Sequence, residues 1–323
     1  MSKIKQESTK PRISVVMAVY KEPIEWIRLA IDSILNQTFQ DFEFIIINDN
    51  PIREDNQFVL NEYMIKDSRI VLVANNENIG LTKSLNKGLG IANGDYIARM
   101  DADDIACVDR FKIQVDFLDH NNDIDVCGSA VNCFGKVDIE RRFPLNNDKM
   151  YFFVENCFAH PTVMGKAKVF KQFKYNEECR FAQDYELWYR MYSNGIKFHN
   201  IDKPLLNYRT SNSQIGALHN EGQNIIGREI RRASITEYVH RYNKDFKFCT
   251  DGVLVADINN IVKNVVLPNH IYQKLLFYLA LSTDGIKERI ILLILLIPKY
   301  KLTFGYYAHV FYHYLLNKKI HLF

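Results

Sequence analysis

No apolar run in this chain of 323 residues reaches the ~20 that a membrane-crossing helix requires. The longest, Ile290–Ile297, is bracketed by Lys287 and Arg289 before it and by Pro298, Lys299 and Lys301 after it. It is too short to span, and suits either a buried helix or a membrane surface. The first twelve residues, Met1–Arg12, are polar and lack the apolar core of a secretion signal, which argues against export. The six cysteines (Cys107, Cys127, Cys133, Cys157, Cys179 and Cys249) include no Cys-x-x-Cys pair and have no histidine cluster beside them. A disulfide frame and a zinc site are therefore not expected; reduced thiols in a cytoplasmic protein are. No internal repeat or low-complexity tract occurs. The net charge of +3 gives no reason to expect a nucleic-acid partner.

What is present is a chain that is 47% hydrophobic, enough for one large α/β domain with an appendage or for two domains. Ile13–Tyr20 is almost continuously apolar and β-branched, as a strand buried on both faces of a parallel sheet would be. Pro23 suits a helix start, and Ile27, Ile31, Ile34 and Leu35 recur at helical spacing behind it. Phe42–Asn48 reads as a second strand that stops at the turn formers Asp49, Asn50 and Pro51. A helix over Phe58–Ile65, a strand over Ile70–Ala74, a helix over Leu81–Ala92 ending at Asn93-Gly94, and a strand over Tyr96–Met100 follow. This alternation predicts a doubly wound, mainly parallel sheet, with ligands bound beyond the carboxyl ends of its strands.

The pattern weakens after about residue 125. Val126–Phe134 and Thr162–Val169 read as strands, Asp184–Asn194 as a helix capped by Gly195, and Asn224–Tyr242 as an Arg-rich helix. The expected organisation is a polar segment (1–12), a catalytic domain (13–215) and a helical C-terminal region (216–323).

Asp101-Ala-Asp-Asp104 directly follows a buried strand. Three carboxylates within four residues repel one another unless a cation is present. Asp101 and Asp103, two apart, point the same way in an extended segment. Hard oxygen ligands of this kind suit Mg²⁺ or Mn²⁺. An acidic turn or a helix start is the plainer reading of an isolated Asp-x-Asp; position at a strand's carboxyl end shifts the balance toward a site.

The acidic motif is one of seven that occur in order: ISVVMAVYKE (13–22), QTFQDFEF (37–44), IIINDN (45–50), NIGLTKSLN (78–86), GDYIARMDADD (94–104), HPTVM (160–164) and QDYELWYR (183–190). Together they resemble the family 2 inverting glycosyltransferases of the GT-A fold, over roughly residues 11–210. The resemblance implies that Ala18 and Tyr20 lie against the nucleotide, with Tyr20 on or near the base. Asp49 accepts from the uracil N3–H, which favours a UDP-sugar. Asp103 touches the metal, and Asp101 lies nearer the ribose and diphosphate. Asp184 is the catalytic base, and Glu22 and Lys83 are lesser donor contacts.

The chemistry agrees. Negative charge grows on a departing diphosphate, where a cation stabilises the transition state most. A carboxylate within reach can take the acceptor's proton, and a single base opposite the leaving group inverts the anomeric carbon.

Asp184 also suits an N-cap. Glu186 is the rival base, or else a solvated helix position. His160, before Pro161, meets the leaving phosphate or the acceptor, or is structural. The sequence departs from the family pattern at Asn48, often Asp, at Asn50-Pro51 in place of Gly-Ser, and at Gln183 in place of Glu. This last change removes a negative charge beside Asp184 and is expected to lower the base's pKa. The Gln-x-x-Arg-Trp motif of processive synthases is absent, so addition of a single sugar is expected.

Residues 287–323 interleave Lys287, Arg289, Lys299, Lys301, Lys318 and Lys319 with seven Tyr and Phe residues from Tyr300 to Tyr314. That mix suits the inner face of an anionic membrane and a lipid-linked glycan acceptor; packing on the catalytic core or an oligomer contact is the other reading. A nucleotidyltransferase would share the acidic ligands but carry a Gly-rich phosphate loop after the first strand, and Ala18–Pro23 contains no glycine. A non-catalytic nucleotide-sugar-binding protein would have no need of Asp101, Asp103 and Asp184 together.

Overall fold

The computed structural model describes residues 10–145, 156–211 and 220–239. The chain divides into two compact units, Met1–Arg231 and Arg232–Phe323. The expected domain boundary near 215, the run Ile290–Ile297 and the basic, aromatic tail all lie outside the described residues. Among the described residues, no helix is long and apolar enough to cross a membrane. None of Cys107, Cys127, Cys133 and Cys179 is in a disulfide.

The first unit opens with strict alternation: β1 (Ile13–Val19), α1 (Ile24–Leu35), β2 (Phe42–Asn48), α2 (Glu54–Lys66), β3 (Ile70–Ala74), α3 (Leu81–Ile91) and β4 (Tyr96–Asp101). These four strands are all parallel, in the order β3-β2-β1-β4. Each is apolar on both faces because helices cover both. Ile13, Val15, Met17 and Val19 join Phe44, Ile46, Ala98 and Met100 in one core layer with α1 and α2. Val16, Ile45, Ile47 and Ile97 pack on the opposite side with Leu85 and Leu89 of α3. β1 has β2 on one side and β4 on the other, which makes the gap between β1 and β4 the switch point where such sheets bind ligands.

The sheet continues past β4 with mixed direction. β5 (Ile105–Ala106), α4 (Arg110–His120), β6 (Val126–Gly135), β7 (Ile139–Arg141), β8 (Met164–Lys166), α5 (Ala167–Phe173), α6 (Gln183–Ser193), β9 (Phe198–Thr210) and α7 (Asn220–Val239) complete the described elements. β8 runs antiparallel to both β4 and β6, β9 is parallel to β6, and β5 is antiparallel to β9.

Four local expectations are corrected. Thr162–Val169 is not one strand. His160–Thr162 is a 3₁₀ turn around Pro161, only Met164–Lys166 pairs in the sheet, and Ala167 starts a helix. The apolar run there serves three elements in succession. α2 starts at Glu54, four residues before the expected Phe58, because polar Glu54, Asp55, Asn56 and Gln57 form its first turn without contributing apolar periodicity. Asp184 is not an N-cap: Ala182 adopts left-handed backbone (φ 51°) and α6 begins at Gln183, so Asp184 sits inside the first turn. Finally, α3 ends at Ile91, and Gly94 is not among the glycines with positive φ. Its lack of a side chain serves close approach instead. A Cβ at Gly94 would stand 2.7 Å from the carbonyl carbon of Ile13 and collide with the Ser14 nitrogen.

That contact is backbone against backbone, in a strand with no room to shift. Gly94→Ala is expected to destabilise the first unit by about 1–3 kcal/mol, the range for overpacking. The shift of the urea unfolding midpoint measures it, and a midpoint equal to that of the unaltered protein would refute the close-approach account.

Candidate functional site

The carboxyl ends of β1, β2 and β4 bring the sequence-predicted residues together by register alone. Ala18 pairs with Asp101 across β1 and β4, and Val19 pairs with Asn48 across β1 and β2, one residue before Asp49. Tyr20 follows at the rim, 40% exposed, with the Lys21 ammonium over its ring, 5.6 Å from the centre. Its backbone is pinned from the β2–α2 connection. Asn50 Nδ2 and Asn56 Nδ2 both donate to the Tyr20 carbonyl (3.0 and 2.8 Å), and Arg53 Nη1 donates to that of Glu22 (2.7 Å). The Asn50-Pro51 departure thus supplies one of the pins. Glu22 Oε2 accepts from the Tyr20 N–H (2.8 Å). Burial raises the Glu22 pKa, with Asp101 adding a smaller push.

Asp49 is buried and well supplied with donors. Its Oδ1 accepts from Asn75 Nδ2 (2.8 Å) and the Ile79 N–H (2.9 Å), and its Oδ2 accepts from the Gly80 N–H (3.0 Å). Of roughly four lone-pair directions on a carboxylate, three are used, which leaves one on Oδ2. Asn75 is held in turn by Ser84 Oγ (2.9 Å) and Lys87 Nζ (2.8 Å) of α3. Lys83, in the first turn of α3, is exposed.

At the end of β4, one ligand atom from each of Asp101, Asp103 and Asp104 lies within 4.8 Å of the others. Asp104 is the addition: the sequence motif contains it, but only the structure shows its carboxylate turned to the same point. It is fully buried, its Oδ1 accepts from the Arg209 N–H (2.7 Å), and its Oδ2 has no hydrogen-bond partner. Burial pushes its pKa up, and so do Asp101 and Asp103. Three hard oxygen donors, one of them on a buried carboxylate with an oxygen unpartnered among the described residues, fit a divalent cation.

Arg99 pairs with Asp101 from two residues upstream on β4. This side chain is buried, and its signal was available in the sequence as a lone charge inside an apolar strand. Both backbone groups of Arg99 are satisfied: its N–H donates to Val163 O (2.9 Å), and buried Arg110 donates to Arg99 O (2.8 Å). Gln114 of α4 holds the 3₁₀ turn through Thr162 O (2.7 Å). His160, on that turn, meets Tyr175 Oη through Nε2 (2.7 Å). Burial lowers its pKa well below the usual value, and Arg99 lowers it further, so the ring is neutral.

Asp184 accepts from Asn156 Nδ2 (2.6 Å). Its pKa is raised, because burial outweighs the Tyr185 N–H, the Asn156 amide and the Arg99 charge that favour the anion. The Gln183 departure does not reverse that direction. Glu186 is held elsewhere: Arg190 binds it through Nε and Nη2 (2.8 and 3.1 Å) while also donating to the Phe173 and Lys174 carbonyls. Tyr208 lies on β9, and its phenol is pushed up by burial, with smaller pushes from Asp101, Asp104, Asp103 and Asp184. Neither Tyr208 nor Asn156 carries a sequence signal, since both reach the site only through tertiary pairing.

Comparison with known proteins agrees with this architecture. Residues 14–192 match the family model described as "Glycosyl transferase family 2". An uncharacterized glycosyltransferase of Methanocaldococcus jannaschii is 41% identical over 212 residues, 64% of this chain and 73% of that protein. The O-antigen biosynthesis glycosyltransferase WbnJ of Escherichia coli is 35% identical over 209 residues, 62% of this chain and 80% of that protein. S. aureus TarS 1-349 in complex with UDP-GlcNAc superimposes with a TM-score of 0.56 at 16% identity, covering 84% of this chain and 82% of that one. The mannosyltransferase PcManGT from Pyrobaculum calidifontis, in complex with GDP-Man and Mn²⁺, gives 0.53 at 14%, covering 96% and 81%. At such identities the structural likeness is one of fold, the GT-A fold of a mainly parallel sheet flanked by helices. The family match spans more than half of the chain and takes in the acidic motif, His160 and Asp184, so the protein belongs to glycosyl transferase family 2.

Proposed function

We propose that this glycosyltransferase moves a single hexose or N-acetylhexosamine from a UDP-sugar to a cell-surface glycan acceptor of the lipopolysaccharide or capsule kind, with inversion at the anomeric carbon. The observation that carries the reading is the gathering of Asp101, Asp103 and Asp104 at the end of β4, one ligand atom from each within 4.8 Å of the others. A cation held there would meet a leaving diphosphate, and the half-buried Asp184 supplies a base for an attacking hydroxyl.

The chain's own residues divide the work. Tyr20 stacks on the base, and the remaining acceptor position of Asp49 Oδ2 takes a hydrogen bond from uracil N3–H. Ala18, with only a methyl group, lets the nucleotide approach β1, and Glu22 and Lys83 contact the donor. Asp103 is the direct metal ligand, with Asp101 and Asp104 beside it. Mn²⁺ or Mg²⁺ bound there supplies positive charge for the departing diphosphate. Asp184 takes the acceptor's proton as its oxygen attacks the anomeric carbon, and the bond to the diphosphate breaks on the opposite face. Glu186, committed to Arg190, is a structural anchor. Neutral His160 orients Tyr175.

The catalytic domain is assigned to 13–215. The basic, aromatic tail within 216–323 is assigned to contact with an anionic membrane bearing a lipid-linked acceptor. WbnJ, by its name a protein of O-antigen biosynthesis, supports the glycan reading, while the GDP-Man in the PcManGT structure makes the choice of base a point to test.

Three outcomes are expected. A panel of UDP- and GDP-sugars with Mn²⁺, read by released nucleoside diphosphate, gives turnover with a UDP donor; turnover confined to GDP donors sinks the Asp49 assignment. Chelation or Asp103→Ala abolishes that turnover, and full activity of either would remove the cation from the scheme. Asp184→Asn lowers transfer by about 10²–10⁴-fold, the usual worth of a general base.

The raised pKa also sets a pH signature. The base works as the anion, so activity falls as pH drops through a value above the ordinary ~3.9 of aspartate. Asn156→Ala removes a bond to the anion and moves this acid limb to higher pH. For stability the sign is opposite. The folded protein holds the Asp184 proton more tightly than the unfolded chain, so Asp184 costs stability as pH rises from about 3.9 through its folded pKa. Asp184→Asn is therefore expected to unfold at a higher denaturant midpoint at neutral pH while losing activity.

A further inference from the structure

The family match stops at residue 192, yet the acidic motif is held in shape from beyond that limit. Arg209 lies near the end of β9, where the parallel register sets it beside Phe134 of β6. Its guanidinium carbon is 4.5 Å from the Phe134 ring centre and 4.4 Å from that of Trp26 on α1. A planar guanidinium between two rings gains from both faces and cannot swing out of their plane without losing that contact. In this position its Nε donates to the main-chain oxygen of Asp103 (2.7 Å), and its own N–H donates to Asp104 Oδ1 (2.7 Å). One residue therefore fixes the Asp103–Asp104 peptide from one side and the Asp104 carboxylate from the other. The bond to Oδ1 leaves the buried Oδ2 without a hydrogen bond among the described residues, on a carboxylate one of whose oxygens lies within 4.8 Å of ligand atoms of Asp101 and Asp103.

We propose that Arg209, clamped by Trp26 and Phe134, is the positioning residue for cation binding by the acidic motif. Three like-charged carboxylates on a short loop drift apart unless something other than the cation holds them. Arg209 holds two of the three through their backbone and carboxylate before any cation arrives. It acts through Asp103 and Asp104 and touches neither substrate nor cation. The inference rests on the reading of this motif as a cation site.

The test is direct Mn²⁺ binding to the full-length protein, read by loss of the electron paramagnetic resonance signal of aquo-Mn²⁺, with circular dichroism to establish folding. Arg209→Met is expected to weaken Mn²⁺ binding by about 10–100-fold, the range for outer partners of metal ligands. Arg209→Lys keeps the charge but not the stacked fork, and falls between the two. Trp26→Leu touches no acid and is expected to weaken binding several-fold. In each variant the donor KM at saturating Mn²⁺ moves far less than the Mn²⁺ requirement. Failure of the unaltered protein to bind Mn²⁺ overturns the cation reading and this inference with it. If instead Asp103→Ala loses Mn²⁺ while Arg209→Met and Trp26→Leu bind as the unaltered protein does, the cation site stands and the positioning role falls. Should Arg209→Met not fold, Arg209→Lys and Trp26→Leu decide the question in the same way.

Discussion

One buried guanidinium makes the rest of this site tolerable. Arg99 is 3% exposed, at the carboxyl end of a strand whose other inward residues are apolar. An isolated charge there would cost several kcal/mol of lost hydration, and removing its partner would expose that cost. Asp101 meets it directly, and its field reaches Asp104, Asp184, His160 and Tyr175. It favours the anion at both acids and the neutral ring at His160. Its own backbone is held by Val163 and by Arg110. Arg110 is itself completely buried, which lowers its pKa to about 10. The arrangement is expensive as a way of stabilising a fold, and its place at the switch point of the sheet accounts for why the chain carries it.

The burial of Asp184 follows the same logic from the other side of the site. Burial raises its carboxyl, yet Asn156 and the first-turn amides of α6 pull the other way and favour the anion. The helix can begin one residue before Asp184 only because Ala182 accepts left-handed backbone, a conformation that costs a non-glycine residue about 1 kcal/mol or more. Backbone strain and desolvation meet within three residues of each other, at the group proposed as the base.

Much of this was readable in advance where the physics is local. β1 to β4 and the helices between them follow from apolar periodicity, and the acids stand out because they end a buried strand. Gly195, with its positive φ, caps α6 as the sequence suggests. Legibility failed where one stretch served several elements, as around Pro161, and at α4, where Phe111, Ile113, Val115 and Phe117 alternate with polar residues at a strand-like period. It also failed for partners brought in from far along the chain. Tyr208 and Arg209 reach the acids through β6–β9 and β5–β9 pairing, Asn156 and Tyr175 from connections around the 3₁₀ turn and α5, and no single segment encodes that. Arg99 is the intermediate case, visible as an anomaly in the strand but without a partner until the fold supplies one.

The helix α3 has a consequence of its own. Near its start, Ser84 and Lys87 brace Asn75, which braces Asp49. On the same helix, Asn86 grips Tyr175 by both its N–H and its carbonyl (2.8 and 2.9 Å), and Tyr175 holds His160. Asp49 and the His160–Tyr175 pair are thus braced from one helix. On the proposed reading these are the nucleotide side and the reacting side of the site, so a substitution that displaces α3 disturbs both at once.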